Sequence, residues 1–508
     1  MAWKYDILDP QLYYDPGHEP SLFDPTTSLI VHRLPFPETS RGPEAEAFHK
    51  TNIHEITHWL QHSSTSWGIF SSFCNLAQSQ RLARWLGEVG EEGRDEFFSN
   101  HENSVTLFAI KSDANLACNL PELANRETSY LGEVIACYYG LQLLFNTQRL
   151  APMGVRPRVL AQALEVCLRF PWGDAQPEYQ PQEPDQRLGD DTPYSALDVG
   201  LSTVDILESA AVVNETMAIG QATDNFDSKE LEDTVRTSVR RLLGFDTPWY
   251  SRCFRIWVGK HPDLVQIATD ASSVENLGKA LFTFSLLADA ALNPPLPPFY
   301  KIENTLDVLW KDVHPPARFS LLVDAASKMP LIDNSATDEQ ANNWALEALA
   351  MARLPSVHED IAKLTSKEAN FNYEFPDDFC YAEAVLLPRF KRLLNLRKGN
   401  LLTVASPGEI VHRPKSKDAS VQKAFDESFW LPVFLNSDYK VHSFMPQEAA
   451  ARYCESAFLR RCMRFSVFQS MDVIVSKPHH KALAKMRPEE GFEALTMRNL
   501  VTQYGAWT

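Results

Sequence analysis

The sequence has no apolar segment as long as those of membrane proteins, and its first residues do not predict a leader sequence. Its longest apolar run, residues 134–145, is interrupted by Gln142 and falls short of the roughly 18 residues that a membrane span needs. The first ten residues have no apolar core and include early acidic side chains, which argues against a secretory signal. We therefore predict a cytoplasmic protein with no membrane contact.

Paired cysteines and an excess of positive charge are also missing. Eight cysteines are scattered through 508 residues without a C-x-x-C pair, which is typical of reduced, buried thiols and excludes a disulfide framework or a zinc knuckle. A formal net charge of −18 argues against a general nucleic-acid binder, so we predict no nucleic-acid partner. The sequence shows no P-loop, dinucleotide-binding fingerprint or G-x-S-x-G elbow. Any chemistry must therefore come from another motif.

Such a motif is present at residues 54–58, which read His-Glu-Ile-Thr-His. Two histidines four residues apart lie on the same face of a helix, where both imidazoles can bind one metal ion. The intervening Glu55 can then act on a metal-bound water molecule. This spacing is the H-E-x-x-H arrangement of zinc hydrolases, and it predicts His54 and His58 as ligands of one zinc ion per chain.

The flanking residues favour the helix that the motif requires. Residues 44–65 contain neither glycine nor proline, and apolar side chains recur at near-helical spacing. The apolar set is Ile53, Ile56, Trp59 and Leu60. The alternative interpretation is an ordinary helix that carries two surface or core histidines beside a glutamate.

A catalytic zinc ion needs a third protein ligand. His62 shares the helix face, but it lies eight residues from His54, a rise of about 12 Å, which is too far for one ion. Glu208 is the favoured ligand because its helix is apolar and the small residues that follow it allow close packing. A buried carboxylate there would need a partner, which a metal supplies. Glu133, also an acid on an apolar helix, remains the alternative ligand.

The motif and the distant Leu207-Glu-Ser-Ala-Ala segment together resemble the gluzincin branch of the zincin metallopeptidases. The chain is especially similar to bacterial proteins of unassigned function with an H-E-x-x-H-x-L-Q helix followed by an E-x-x-A helix. The resemblance covers roughly residues 28–220. It implies His54, His58 and Glu208 as zinc ligands and Glu55 as the general base. The chain departs from well-studied members in the separation of about 150 residues between His58 and Glu208.

A peptidase site also needs a hydrogen-bond donor for the developing oxyanion and a strand that holds the substrate. Tyr138, Tyr139 and His62 are the candidate donors, and the sequence does not choose among them. Two segments are predicted as edge strands for an extended substrate: residues 28–34 and 104–111.

The remaining pattern predicts a mainly α protein with a small β component. We divide it into a zincin-like domain over residues 1–225, an α-helical domain over 226–400 and an α-rich domain over 401–508. The first domain includes an acidic loop at 171–195, and the third includes a short hairpin at 401–412. The helical region after residue 225 is a candidate surface for a protein partner.

These features favour a zinc metallopeptidase that cleaves an intracellular protein or peptide. Two alternatives remain open at this stage. One is a zinc-binding regulatory or interaction protein without turnover, and the other is a metal-free helical scaffold. Zinc content and hydrolysis distinguish the three hypotheses.

Overall fold

The computed structural model describes part of the chain, and the fold below concerns only that part. The described residues are 21–24, 28–32, 43–72, 201, 203–221, 248–261, 264, 274–295, 310–332, 336–357, 433–436, 441–442 and 453, with scattered positions between 233 and 243. The predicted loop at 171–195 and hairpin at 401–412 lie outside them.

Helices dominate the described residues, as the mainly α prediction requires. The elements in chain order are β1 Ser21–Asp24, β2 Leu29–His32, α1 Pro43–Ser64, α2 Thr203–Gln221, α3 Pro248–Lys260, α4 Val274–Ala291, α5 Trp310–Val313, α6 Pro315–Ala326, α7 Asp338–Met351, β3 Val433–Asn436 and β4 Val441–His442. Within the described part, no helix is both long enough and apolar enough to cross a membrane. The mainly α fold class is therefore confirmed for this part of the chain.

Helix α1 carries the H-E-x-x-H motif in its middle. It begins at Pro43, where the missing N–H of proline costs nothing because the first helical N–H groups have no partner within the helix. The predicted apolar face is buried, with Trp59 and Leu60 at most 1% exposed. Thr65 interrupts the helix, and its hydroxyl accepts a hydrogen bond from the Gly68 N–H at the start of the next helical turn.

Helix α2 packs against α1 on one side and against α3 and α4 on the other. Ala210 and Ala211 are buried, and their small side chains let the two helix backbones approach. The apolar side chains around these two alanines are buried between the helices, and the burial of their surface stabilises this packing. The position of α2 is thus set by a core that both neighbouring helices share.

Aromatic rings join α3, α4 and α6 into the centre of the core. Phe284 of α4 makes edge contacts with Phe254 and Phe319, at ring centroid distances of 5.3 and 5.8 Å. Arg318 is completely buried beside them, and its guanidinium donates to four backbone carbonyls. These acceptors belong to Asp312, Ala290, Asn293 and Pro355.

A small four-stranded sheet lies against α1 in the order β1-β2-β3-β4. Strand β2 pairs antiparallel with β1 and parallel with β3, so it lies inside the sheet. The prediction of a strand within residues 28–34 is confirmed, but its assignment as an edge strand is wrong because both of its sides are paired. The other predicted edge strand, 104–111, lies outside the described residues.

Contacts in the described part cross both predicted domain boundaries. Helix α2 packs against α3 and α4, which follow residue 225, and β2 pairs with β3, which follows residue 400. The three-domain division itself stays a prediction.

Candidate metal centre

Three side-chain atoms from α1 and α2 lie close together. His54 Nε2 and His58 Nε2 are 3.1 Å apart, and Glu208 Oε2 lies 3.3 Å from the first and 3.4 Å from the second. All three distances involve the same atom of each residue, so the atoms form one nearly equilateral triangle. The structure therefore brings together the three residues that the sequence predicted as ligands, and this cluster could hold a metal ion.

The size of this triangle fits a metal ion with tetrahedral coordination. Ligand atoms at about 2.0–2.1 Å from a tetrahedral ion lie about 3.3–3.4 Å from one another, which is the edge of the tetrahedron. The observed edges of 3.1–3.4 Å match that value. Two imidazole nitrogens and one carboxylate oxygen are also ordinary zinc ligands. Three ligands would occupy one face of the tetrahedron and leave a fourth position for water.

Local structure explains why these side chains converge. His54 and His58 are one helical turn apart on α1, and their rings meet edge to face with centroids 4.8 Å apart. Glu208 lies early in α2, on the side that packs against α1, beside the buried Ser209 and Ala210. The side chains of His54 and Glu208 remain 14% and 23% exposed, so solvent and a small ion can reach the cluster.

Each histidine has a second hydrogen-bonding or charged partner on its other ring nitrogen. His58 Nδ1 lies 2.9 Å from Gln61 Oε1, and His54 Nδ1 lies 3.7 Å from Glu215 Oε2. Outer partners of this kind orient the imidazoles of metal sites. Partners on both rings are consistent with a metal site.

Glu55, the predicted general base, is buried at the sheet side of α1. Its Oε2 accepts a hydrogen bond of 2.6 Å from the backbone N–H of Phe23 in β1. Burial raises the pKa of its carboxyl above the usual value, although the neighbouring histidines lower it. A raised pKa brings a carboxylate closer to the range in which it exchanges protons near neutral pH.

The charges of the cluster are strongly coupled. Burial lowers the pKa of His54, but the neighbouring Glu208 and Glu215 carboxylates raise it by more, so the pKa lies well above its usual value. Burial also lowers the pKa of His58, but the Glu208 carboxylate raises it by more, so this pKa too lies above its usual value. Burial raises the pKa of Glu208, yet the two histidines hold it well below its usual value. Without a metal, the Glu208 carboxylate therefore favours the protonated form of the histidines beside it.

The other predicted site residues fall into two groups. His62 is buried, and its ring packs against Phe23 and Trp67 at centroid distances of 5.2 and 5.0 Å. It is not a member of the ligand cluster, as the helical rise predicted, and its role as an oxyanion donor stays a prediction. The alternative ligand and the two tyrosine donors lie outside the described residues: Glu133, Tyr138 and Tyr139.

Tyr250 is a site residue that the sequence analysis missed. It lies in the first turn of α3, and its ring centroid is 6.2 Å from that of His54. No local pattern marks it, because α3 reaches the site only through the packing of α2 against α3. The contact between the two rings places Tyr250 next to a residue of the cluster.

Comparison of the chain with protein-family models, with curated proteins and with solved structures finds no significant match. The chemistry of the site must therefore be argued from its own residues. Among the described residues, the cluster of His54, His58 and Glu208 is the one group with the composition and geometry of a metal site.

Proposed function

We propose that this protein is a zinc-dependent metallopeptidase with a zincin-like N-terminal domain. The observation that carries the proposal is the triangle of His54 Nε2, His58 Nε2 and Glu208 Oε2, whose edges fit a tetrahedral zinc ion. Glu55 lies in the same helix turn, where the motif places a general base. A zinc ion bound by these side chains would acidify a water molecule and polarise the carbonyl of the scissile peptide.

The residues of the chain supply the proton transfers and the positioning. Glu55 accepts a proton from the attacking water and returns it to the leaving amine, a step for which its raised pKa is suited. The Phe23 N–H holds Glu55 Oε2, and the proposed proton transfer uses the other carboxylate oxygen. We assign the oxyanion hydrogen bond to Tyr250, because its ring lies beside that of His54. The substrate class is a protein or peptide, which the helical remainder would recognise.

The donor set alone does not select zinc. Two histidines and one carboxylate also bind Fe(II) in oxygenases, with open positions for other ligands. We favour zinc because Glu55 lies between the two histidines, where hydrolysis needs a base and oxygen activation does not. Elemental analysis of the purified chain should measure both metals, and we expect about one zinc per chain.

A second candidate function is zinc binding without turnover. The surroundings of Glu55 favour this alternative, because this residue is only 5% exposed and its side chain already accepts a hydrogen bond from strand β1. Both features restrict its contact with a water molecule. In that case the protein would bind zinc but would cleave no member of a peptide library. A chain that binds no metal after reconstitution would instead be a helical scaffold.

Glu55→Gln is the variant that tests the proposal. It keeps the size of the side chain but removes the base, so we expect bound zinc to be retained and cleavage of a peptide library to fall by about 10²–10⁴-fold. Glu339→Gln, an exposed change of the same kind on α7, is the matched control and should leave cleavage unchanged. Cleavage by Glu55→Gln at the wild-type rate would disprove the assignment of Glu55.

A further inference from the structure

We propose that Gln61 is a positioning residue of the metal centre. Gln61 holds the His58 ring with its proton on Nδ1, and it also connects this ligand to α2, the helix that carries Glu208. The inference rests on the proposed zinc site but not on peptide hydrolysis. It starts from a side chain that is completely buried and lies one turn after His58 on α1.

The two ends of the Gln61 amide have different partners, and this settles its orientation. Nε2 donates a hydrogen bond of 3.1 Å to the backbone carbonyl of Leu207. That carbonyl can only accept, so the nitrogen of the amide must face it. Oε1 therefore faces His58 Nδ1, at 2.9 Å.

This orientation defines the tautomer of His58. An amide oxygen can only accept a hydrogen bond, so His58 Nδ1 must carry the proton that is donated to it. In the neutral ring the lone pair is then on Nε2, the atom that faces His54 and Glu208. Gln61 thus presents His58 in the one neutral form that can bind a metal within the triangle.

The other bond of Gln61 ties this ligand to its partner helix. Leu207 directly precedes Glu208, so its carbonyl lies one residue from the third ligand. Gln61 therefore joins His58 of α1 to the backbone of α2 at the position where Glu208 leaves it. Because the Gln61 amide is buried, losing either bond would leave one end of that amide without its partner, which is costly.

His54 has a different outer partner, and the comparison separates the two roles. Its Nδ1 faces the Glu215 carboxylate at 3.7 Å, and that side chain is 29% exposed. Glu215 therefore acts on His54 through its negative charge, without a short hydrogen bond. Gln61 is completely buried and forms short hydrogen bonds through a neutral amide. On its Nδ1 side, the orientation of His58 consequently depends on Gln61.

Zinc affinity measured by competition with a chromophoric chelator tests the inference. Gln61→Met keeps the volume but removes both hydrogen bonds, and we expect the zinc Kd to rise about 10–100-fold. Gln61→Glu keeps an acceptor for the Nδ1 proton, so its Kd should lie closer to wild type than that of Gln61→Met. Metal-free thermal unfolding of each variant shows whether it is folded.

Thr57→Val is the matched control for packing. Thr57 is buried next to His58 on α1 and accepts a hydrogen bond of 3.5 Å from Asn214 on α2, so the change weakens the same helix contact without touching a ligand. We expect its zinc Kd and the visible spectrum of its cobalt-substituted form to match wild type. The cobalt spectrum of Gln61→Met should shift, because the orientation of His58 changes.

Three results would overturn the inference. They are an unchanged Kd in Gln61→Met, an equal loss of affinity in Thr57→Val, and no zinc binding by the wild-type chain. A wild-type chain that binds zinc but cleaves no peptide would remove the proposed peptidase activity and leave the role of Gln61 intact.

Discussion

Replacing Glu208 with glutamine separates its role as a ligand from its role in packing. The amide has nearly the same shape as the carboxylate, so the contact between α1 and α2 is retained. The change removes the negative charge that lies 3.3 Å from His54 Nε2 and 3.4 Å from His58 Nε2. Two consequences follow, one for the metal-free protein and one for the zinc-bound protein.

The metal-free protein should lose a modest part of its stability. A hydrogen bond to a charged group contributes about 1.5–3 kcal/mol, and the 23% exposure of Glu208 places this site near the lower end. We therefore expect Glu208→Gln to lower the free energy of unfolding by about 1.5 kcal/mol where the histidines are charged. The loss should shrink once they are neutral.

The zinc-bound protein should respond more clearly. At a zinc concentration of about 100 times the wild-type Kd, binding stabilises the folded state by about 2.7 kcal/mol. If Glu208→Gln weakens binding about 100-fold, the same zinc concentration stabilises it by only about 0.4 kcal/mol. Glu215→Gln removes an outer partner, and a 10-fold weaker Kd would leave about 1.4 kcal/mol.

The assay is thermal or urea unfolding with and without zinc, together with equilibrium dialysis and elemental analysis. The expected order of zinc-induced stabilisation is wild type, then Glu215→Gln, then Glu208→Gln. One bound zinc with unchanged Kd in Glu208→Gln would refute its assignment as a ligand. A larger loss in Glu215→Gln than in Glu208→Gln would show that the roles of ligand and outer partner are reversed.

Three further predictions concern packing and pH. A Cβ at Gly68 would lie 2.0 Å from the Gln61 backbone oxygen, so Gly68→Ala should lower the melting temperature, with a loss of at least about 1–3 kcal/mol; Gly259→Ala, whose Cβ meets nothing within 4 Å, should not. Arg318→Met leaves four backbone carbonyls without their buried donor and should destabilise the fold by at least about 3 kcal/mol in urea unfolding, whereas Lys260→Met removes an exposed ion pair and should cost at most about 1 kcal/mol. The two proposed ligand histidines have raised pKa values in the folded protein, so their protonation stabilises the metal-free fold. This stabilisation is complete at a pH below the usual histidine pKa and is lost as the pH rises through the raised values. Zinc binding must displace those protons, so zinc affinity should increase from about pH 5 to about pH 9 while metal-free stability falls over the upper part of that range; parallel changes in both would contradict the assignment.

Local patterns predicted the elements that local sequence can determine. The apolar face of α1 follows from side-chain spacing within one helix, and its buried residues are the predicted ones. The same reasoning predicts helices over residues 273–293 and 338–353, and the bounds of α4 and α7 agree with these ranges to within two residues. It missed β3, whose four residues pair with the distant β2 on one side and with β4 on the other.

The candidate site shows the same division between local and long-range information. Glu208 could be proposed because a carboxylate on an apolar, small-residue helix needs a partner, which is a local argument. Its distances to the histidines could not be predicted, since they depend on how α1 packs against α2 across about 150 residues. The hydrogen bond from Gln61 to Leu207 and the position of Tyr250 depend on the same packing.

Strand β1 shows why composition alone can hide a part of the site. Residues 1–43 are rich in proline and acidic residues, and this pattern favours irregular structure over a strand. Yet Ser21–Asp24 pairs with β2, and the Phe23 N–H on its other edge binds the carboxylate of Glu55. A backbone N–H has no sequence signature, so the partner that orients the proposed base could be found only once the sheet was seen to lie against α1. It follows that strand β1 and helix α1 together fix the orientation of Glu55, and with it the access of this carboxylate to a water on the proposed metal.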